Sequence, residues 1–343
     1  MLKGIGHIAV VCVFAIAACA RAGSVVNDAS LGSAPVAHSG NIFTIGPSSG
    51  KQVGTNLFFS LSTLNLDKGE TANFTGPSSI TNVLTRVTGG PSTIDGTLQC
   101  SIANANFLLI NPQGVVFGPD ASLNVSGSFV VTTADQLKLA DGQVFAALPA
   151  ATDATLTTAA PAAFGFLASS PAGFTVDGAT LSVSSCRSFV AATGPVTISG
   201  GSIQAPAGAI AVGSVASSGT VQLNGQTIGS LASFTSPGPI QITDGQIDTS
   251  GSGGGRIVIR GGAMTLEDST ISANTTGPGS GMGINIQLAK DLVSTNGAIL
   301  SETSSSGRAG DISVTAADIS ATGQNSAKLG LACADSNGGG IGG

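Results

Sequence analysis

Few side chains in this sequence could do chemistry, and most of them lie in one short stretch of its second half. Four acids there could act as the paired carboxylates of a polysaccharide-cleaving enzyme, with two arginines between them as a base or a clamp. These residues are Asp244, Asp248, Glu267, Asp268, Arg256 and Arg260. Because both arginines flank the alternating pair Ile257 and Ile259, solvent-facing strand positions explain them better than catalysis does. We expect no enzyme, and a secreted β-helical polysaccharide-active enzyme is the alternative.

Cofactor-binding patterns are missing from the sequence. His38 is the one histidine outside the leader described below, and no Ser-His-Asp or Cys-His set accompanies it. The glycine runs at 253–255 and 281–283 lack the Lys-Ser/Thr of a phosphate loop and the Gly-Gly-x-Gly-x-Asp repeat of calcium-binding proteins. The sequence therefore predicts no cofactor, no metal and no nucleotide.

The most informative segment is the turn Asn111-Pro112-Gln113-Gly114 between two apolar runs. Pro112 fixes φ where a type I or II turn requires it, and Gly114 relieves the turn's exit. The flanking runs, residues 107–110 and 115–117, are then short strands. We predict a β-turn whose Asn side chain caps backbone groups.

The elements that must position this turn repeat along the chain. Ile257-Val258-Ile259 recurs as Ile284-Asn285-Ile286 and again, at nearly the same spacing, as Ile312-Ser313-Val314. Each period follows a glycine-rich stretch and contains further apolar positions, which predicts three short strands per turn. We predict an all-β, right-handed parallel β-helix, a single-stranded pectin lyase-like solenoid with small extra-helical β elements. The inward residues are expected to be Ile257, Ile259, Leu266, Ile271, Ile284, Ile286, Ile312 and Val314.

Two further segments receive predictions from their composition. Residues 134–140 are the one stretch with a weak amphipathic helical pattern. The Ala/Thr/Pro-rich residues 150–161 predict a loop or excursion between β layers, after which residues 164–167 resume a strand.

The amino-terminal segment 1–22 fits a secretory signal. Lys3 supplies the positive start, residues 8–18 are apolar, and Ala20-Arg21-Ala22 offers a cleavage pattern, so the mature chain would begin near Gly23. The small residues before Cys19 leave lipoprotein processing, with lipidation of Cys19, as an alternative. The mature chain keeps Cys100, Cys186 and Cys333, an odd number that argues against a disulfide framework. Buried free thiols are the simpler expectation, although Cys100 and Cys186 could pair on neighbouring coils.

Charge excludes one large class of partners. Without residues 1–22 the chain carries ten basic and 18 acidic residues, a net charge of −8. It has no basic stripe for phosphates and no Trp or Tyr for base stacking, so we expect no nucleic acid partner. The absence of Trp and Tyr also removes the aromatic girdles of an outer-membrane barrel.

Several motifs between residues 39 and 167 resemble the amino-terminal two-partner secretion domain of filamentous-haemagglutinin-like exoproteins. These motifs are Gly54-Thr55-Asn56-Leu57-Phe58, Ala72-Asn73-Phe74, Arg86-Val87-Thr88-Gly89-Gly90, Ile94-Asp95-Gly96-Thr97-Leu98 and the Asn-Pro-Gln-Gly turn. The family's turn reads Asn-Pro-Asn-Gly, so Gln113 is a departure. Phe59 stands where many relatives carry His, and the family's second Asn-Pro-x-Leu motif has no good copy.

The resemblance implies a secreted adhesin that passes through the periplasm and a cognate outer-membrane transporter of the TpsB type. It also implies that the region of the Asn111 turn is required for export, and it leaves the surface receptor open. We expect a signal peptide at 1–22, a secretion domain at 23–167, and β-helical passenger coils at 168–343 whose carboxyl end is truncated or short.

Overall fold

Runs of Val, Ile, Leu and Phe bounded by Gly, Asn, Asp and Ser form the strands of the computed structural model. It describes residues 23–225 and 227–323 and the backbone of Ala332–Ser336. The first strands are β1 Ser24–Asn27, β2 Ala37–Ser39, β3 Ile42–Ile45, β4 Gly50–Val53, β5 Asn56–Asn65, β6 Thr71–Phe74, β7 Asn82–Val87, β8 Ser92–Ile94, β9 Thr97–Cys100, β10 Asn106–Ile110, β11 Val115–Phe117, β12 Ser122–Val125, β13 Phe129–Thr132, β14 Gln136–Leu139, β15 Val144–Ala146 and β16 Pro161–Phe166.

The remaining strands follow with the same short lengths. They are β17 Phe174–Asp177, β18 Thr180–Ser182, β19 Ser188–Thr193, β20 Val196–Ser199, β21 Ser202–Gln204, β22 Ala209–Ser214, β23 Gly219–Asn224, β24 Thr227–Ile228, β25 Ile240–Thr243, β26 Gln246–Asp248, β27 Arg256–Gly261, β28 Met264–Glu267, β29 Thr270–Ser272, β30 Gly283–Leu288, β31 Leu292–Thr295, β32 Ala298–Thr303, β33 Ile312–Thr315, β34 Ile319–Thr322 and β35 Ala332–Ser336. Two 3₁₀ helices span Pro47–Ser49 and Ala151–Thr155. Within the described part of the chain, no helix is long and apolar enough to cross a membrane.

The strands wind into a parallel β-helix of about 11 turns, which confirms the predicted architecture. Face 1 contains β5, β7, β10, β13, β19, β22, β27, β30 and β33, and face 2 runs from β8 to β34. Face 3 consists of two sheets, β3-β6-β9-β12 with β2 at its edge, and β18-β21-β26-β29-β32-β35. At the amino-terminal end, β4 and β1 both pair antiparallel with β5 and so cover the outer edge of face 1.

The predicted repeat is the stacking register of face 1. Ile257 pairs with Ile284, and Ile284 pairs with Ile312, so one period of the sequence corresponds to one coil. Six of the eight predicted inward residues are buried in the central core. Ile312 and Val314 are only partly buried, because β33 is the last strand of its sheet.

Phenylalanine fills the amino-terminal part of that core. Phe59, Phe74, Phe107, Phe129 and Phe189 succeed one another through the coils, with ring centroids 4.7–6.0 Å apart along the series. Each ring is fully buried. Aliphatic residues take over in the later coils, where Ile predominates.

A second core lies outside the helix, against face 1. The antiparallel sheet β15-β14-β16-β23-β24, here called the outer sheet, covers outward-facing apolar residues of face 1. Phe58 packs edge-on against Phe145 of β15, with centroids 5.1 Å apart. The predicted extra-helical β elements are therefore present, but the helical pattern at 134–140 was wrong. These residues include β14, whose Leu137 and Leu139 are both buried, and alternation toward one face is what a strand requires.

Candidate functional site

The predicted turn lies at the corner between face 1 and face 2, where β10 ends and β11 begins. The N–H of Gly114 donates to the carbonyl of Asn111 at 3.1 Å, which closes the β-turn. The N–H of Gln113 donates to Asn111 Oδ1 at 2.9 Å and adds an Asx turn. The structure thus confirms the two strands and the turn between them.

Asn111 joins this corner to the coil that precedes it. Its side chain is fully buried. Its Nδ2 donates to the carbonyl of Gly90 at 2.9 Å and to Ser92 Oγ at 3.0 Å. With Oδ1 engaged inside the turn, the amide has a partner for each of its N–H groups and for its oxygen. Asn111 therefore joins two stacked corners through side-chain hydrogen bonds.

The other three residues of the turn differ in what they contribute. Gly114 has φ +108°, and a Cβ there would lie 3.3 Å from the carbonyl oxygen of Gly173 in the next coil. Pro112 is half-buried and Gln113 is exposed. Since only the backbone of Gln113 takes part in the turn, the change from the family's Asn leaves the corner intact.

Arg86, the first residue of the motif Arg86-Val87-Thr88-Gly89-Gly90, is a buried arginine with no role predicted from the sequence. Its side chain has no exposed surface. Nε donates to Ser60 Oγ, Nη1 donates to Ala146 O and Asp153 Oδ1, and Nη2 donates to Ser30 Oγ and Asp153 Oδ2, all at 2.7–2.9 Å. Every N–H of the guanidinium thus has an acceptor, and its carbon lies 5.0 Å from the centre of the Phe145 ring. The one sequence signal for such a site was a charged residue within an apolar strand. Nothing in the sequence identified Asp153 as its partner.

Asp28 extends this network on the side away from Asp153. It accepts bonds from Ser60 Oγ at 2.6 Å, Ser30 N at 2.9 Å and Thr88 Oγ1 at 3.2 Å. Burial by itself raises the pKa of Asp28, but the bonds from Ser60, Ser30 and Thr88 together lower it below its usual value. Ser60 Oγ therefore links the carboxylate of Asp28 to the guanidinium of Arg86.

The acids and arginines considered for catalysis are spread over different faces. Asp244 and Asp268 occupy stacked, exposed corners between faces 2 and 3, whereas Arg256 and Arg260 belong to face 1. Asp248 Oδ1 accepts bonds from Ser250 and Ser272. Nη1 of Arg260 donates to the carbonyls of Ile259 and Asn285, and burial lowers the pKa of this arginine. In the described part of the chain, no three His, Cys, Asp or Glu side chains are grouped so that they could hold a metal.

The two cysteines with described side chains are both free thiols. Cys100 is buried in face 3, and burial raises the pKa of its thiol. Cys186 is exposed at a corner, so the expectation of a buried thiol was wrong for it. Its φ of +60° places it at a tight turn rather than inside a strand. The predicted signal at 1–22, with the possible lipidation site Cys19, lies outside the described residues.

The fold and the corner joined by Asn111 define a class of protein: a capped parallel β-helix with an outer sheet on one face. The family model of the TPS secretion domain matches residues 20–236. The chain therefore belongs to the family of two-partner secretion domains, and it is a two-partner-secretion exoprotein. No curated protein matches the chain.

Two solved structures are similar to the chain. One is the filamentous hemagglutinin secretion domain, at 13% identity and a TM-score of 0.47, with 93% of this chain and 100% of that chain covered. The other is the HMW1 secretion domain from Haemophilus influenzae, at 15% identity and a TM-score of 0.46, with 94% and 99% covered.

Proposed function

We propose that this exoprotein acts in surface attachment after a cognate TpsB-type outer-membrane transporter has exported it from the periplasm. The observation that carries the proposal is the family match over residues 20–236. A predicted signal peptide at 1–22 and cleavage near Gly23 supply the route across the inner membrane. In this proposal the exported, folded chain acts by binding and not as an enzyme, and the separation of Asp244 and Asp268 from Arg256 and Arg260 supports that view.

The architecture supplies a physical reason for export without nucleotide hydrolysis. Within the helix each coil pairs only with the coils beside it, so later coils that leave the transporter can stack on those already folded. Each buried Val, Leu or Ile contributes about 1.5–3 kcal/mol of transfer free energy, offset by the ordering of a glycine-rich chain. Folding outside the membrane would then oppose return of the chain through the transporter.

The Asn111 turn has its proposed role in this folding step. Its polar groups bind the preceding corner, and Asn111 and Gly114 are buried while only Gln113 is exposed. A residue that completes its bonds inside the folded helix is suited to fixing a corner after export. We therefore place its effect on export in folding at the cell surface rather than in contact with the transporter.

Deletion of the transporter gene tests the proposal. Wild-type cells should show the protein at the surface or in the medium, and the deletion strain should retain it in the periplasm. Transporter supplied from a plasmid should restore export. Surface protein that is equally abundant without the transporter would contradict the proposed export route. Attachment of cells with and without the exoprotein tests the second part of the proposal.

A further inference from the structure

One short segment connects the outer sheet to the first coils through an unusual number of polar contacts. We call residues 146–159 the strap; it runs from the end of β15 through the 3₁₀ helix Ala151–Thr155. Both N–H groups of the Asn56 amide donate to strap carbonyls, at 3.1 Å to Thr157 and 2.9 Å to Ala159. Lys51 Nζ donates to the carbonyl of Asp153, and Gly54 lies directly against Thr158.

Arg86 makes the strap necessary for the first coils rather than merely adjacent to them. Three of the five N–H bonds of its guanidinium go to the strap, two of them to the carboxylate of Asp153. Asp153 of the strap is therefore the direct counter-ion of this fully buried cation. Removing one member of a buried ion pair is strongly destabilising, because an uncompensated charge stays in a poorly solvated place.

The apolar surface around Arg86 also depends on residues that follow later in the chain. Phe58, Leu84 and Leu108 point outward from the first coils and are buried under the outer sheet. Phe145 covers Phe58 and also lies over the guanidinium of Arg86. Until residues beyond β10 dock, these side chains would face water.

We propose that docking of the strap through Asp153 is the step that locks the amino-terminal coils, with Arg86 and Asp153 as positioning residues for folding during export. The inference rests on the proposed function and adds that the chain leaves the transporter amino end first. Asp153 is 67 residues behind Arg86. The leading coils therefore stay open until about residue 159 has emerged, and then close together as a unit.

Pulse-labelling hydrogen exchange during refolding of the full mature chain tests the order of these events. Amides of β5 and β7 should gain protection together with those of β14 and β16, and not before them. Protection of β5 and β7 that precedes protection of the outer sheet would overturn the proposal.

Variants separate the effect of the Arg86–Asp153 ion pair from a general loss of stability. In Asp153→Asn, the amides of β5 and β7 in the folded protein should exchange roughly 100-fold faster or more, as expected for a broken buried ion pair. The matched control is Asp120→Asn, which breaks the exposed ion pair with Lys68 and should leave both strands unchanged. An equal response of the two variants would contradict the proposal.

A double variant keeps the test decisive if Asp153→Asn does not fold. Arg86→Leu with Asp153→Leu removes the need for a counter-ion, so β5 and β7 should gain protection before the strap does. Unchanged simultaneous protection in the double variant would overturn the assigned role of the pair. Because purified protein is used, this result is independent of the transporter deletion that tests the proposed function.

Discussion

At the scale of single residues, buried polar groups with complete sets of partners determine how the coils are joined. Asn111 and Arg86 each satisfy every N–H group of their side chains, although both lie where no water reaches them. Buried polar groups of this kind are costly to truncate, since each lost partner leaves another group unsatisfied.

Asn111→Ala should lower the free energy of unfolding by about 2–3 kcal/mol, because it removes the bonds to Gly90 and Ser92 and the Asx turn. Urea unfolding of the mature chain measures the effect. The control Gln113→Asn restores the family's residue at an exposed position and should change stability by less than about 0.5 kcal/mol. Similar free energies of unfolding for the two variants would show that the Asn111 hydrogen bonds do not contribute to stability.

Thr85→Val should raise the free energy of unfolding by about 1 kcal/mol, because a methyl group in place of an unpaired hydroxyl removes a desolvation cost. The Thr85 hydroxyl has no hydrogen-bond partner, and Thr85 pairs with Phe59 and Leu109 of the neighbouring strands. Thr132→Val is the matched control, because the Thr132 hydroxyl donates to Ala192 O at 2.6 Å. In Thr132→Val the free energy of unfolding should fall by about 1–3 kcal/mol. If it also fell in Thr85→Val, the Thr85 hydroxyl would not be an unpaired group.

The lowered pKa of Asp28 predicts a specific loss of stability in acid. A carboxylate whose pKa is lower in the folded than in the unfolded state stabilises the fold above its ordinary pKa. That contribution is lost as the pH falls from the ordinary Asp value, 3.8, through the lowered folded value. Melting temperatures from pH 7 to pH 2 should therefore converge for wild type and Asp28→Asn. A constant difference across this range would show that Asp28 is not responsible.

At the scale of elements, one corner of the helix repeats a backbone conformation coil after coil. The corner residues between faces 2 and 3 have positive φ and are Gly178, Gly200, Asp244, Asp268 and Asn296. The N–H of each donates to the carbonyl just before the equivalent residue of the next coil, or to Thr322 in the case of Asn296. Gly, Asn and Asp are the residues that adopt this conformation most easily. The acids considered for catalysis thus have a structural reason to be there.

Asp268→Val should cost about 1–2 kcal/mol, whereas Asp268→Gly should be neutral or stabilising, because only the former is strained at φ +46°. Thermal unfolding of both variants provides the comparison. Equal costs would mean that the side-chain bond from Asn296 matters more than the backbone. A glycan-hydrolysing activity lost in Asp268→Gly would instead revive the enzymatic alternative.

The elements differ in how much of them the sequence predicts. The spacing of Ile257, Ile284 and Ile312 fixes the stacking register, because it equals the length of one coil. The Asn111 turn follows from local turn chemistry. The outer sheet does not, since β16 pairs with β23 across six intervening strands, and no local pattern specifies such a partner. The ion pair of Arg86 and Asp153 escaped prediction for the same reason.

At the scale of the whole molecule, the outer sheet determines which residues form one folding unit. The β16–β23 ladder crosses Leu167, where the motifs had suggested that the secretion domain ends. Separating these strands would expose Phe164 and Val221 of the second core. We therefore propose that the export unit extends to about residue 236, where the family match also ends. Coils beyond that point would be passenger.

Export of a chain that ends at residue 236, expressed with its signal and the cognate transporter, tests this account most directly. A version that ends at Leu167 is the matched comparison, and cells without the transporter are the control. We expect the longer chain to reach the medium in a protease-resistant form and the shorter chain to be degraded or retained. Retention of the longer chain in the periplasm, or equal export of both, would contradict the account.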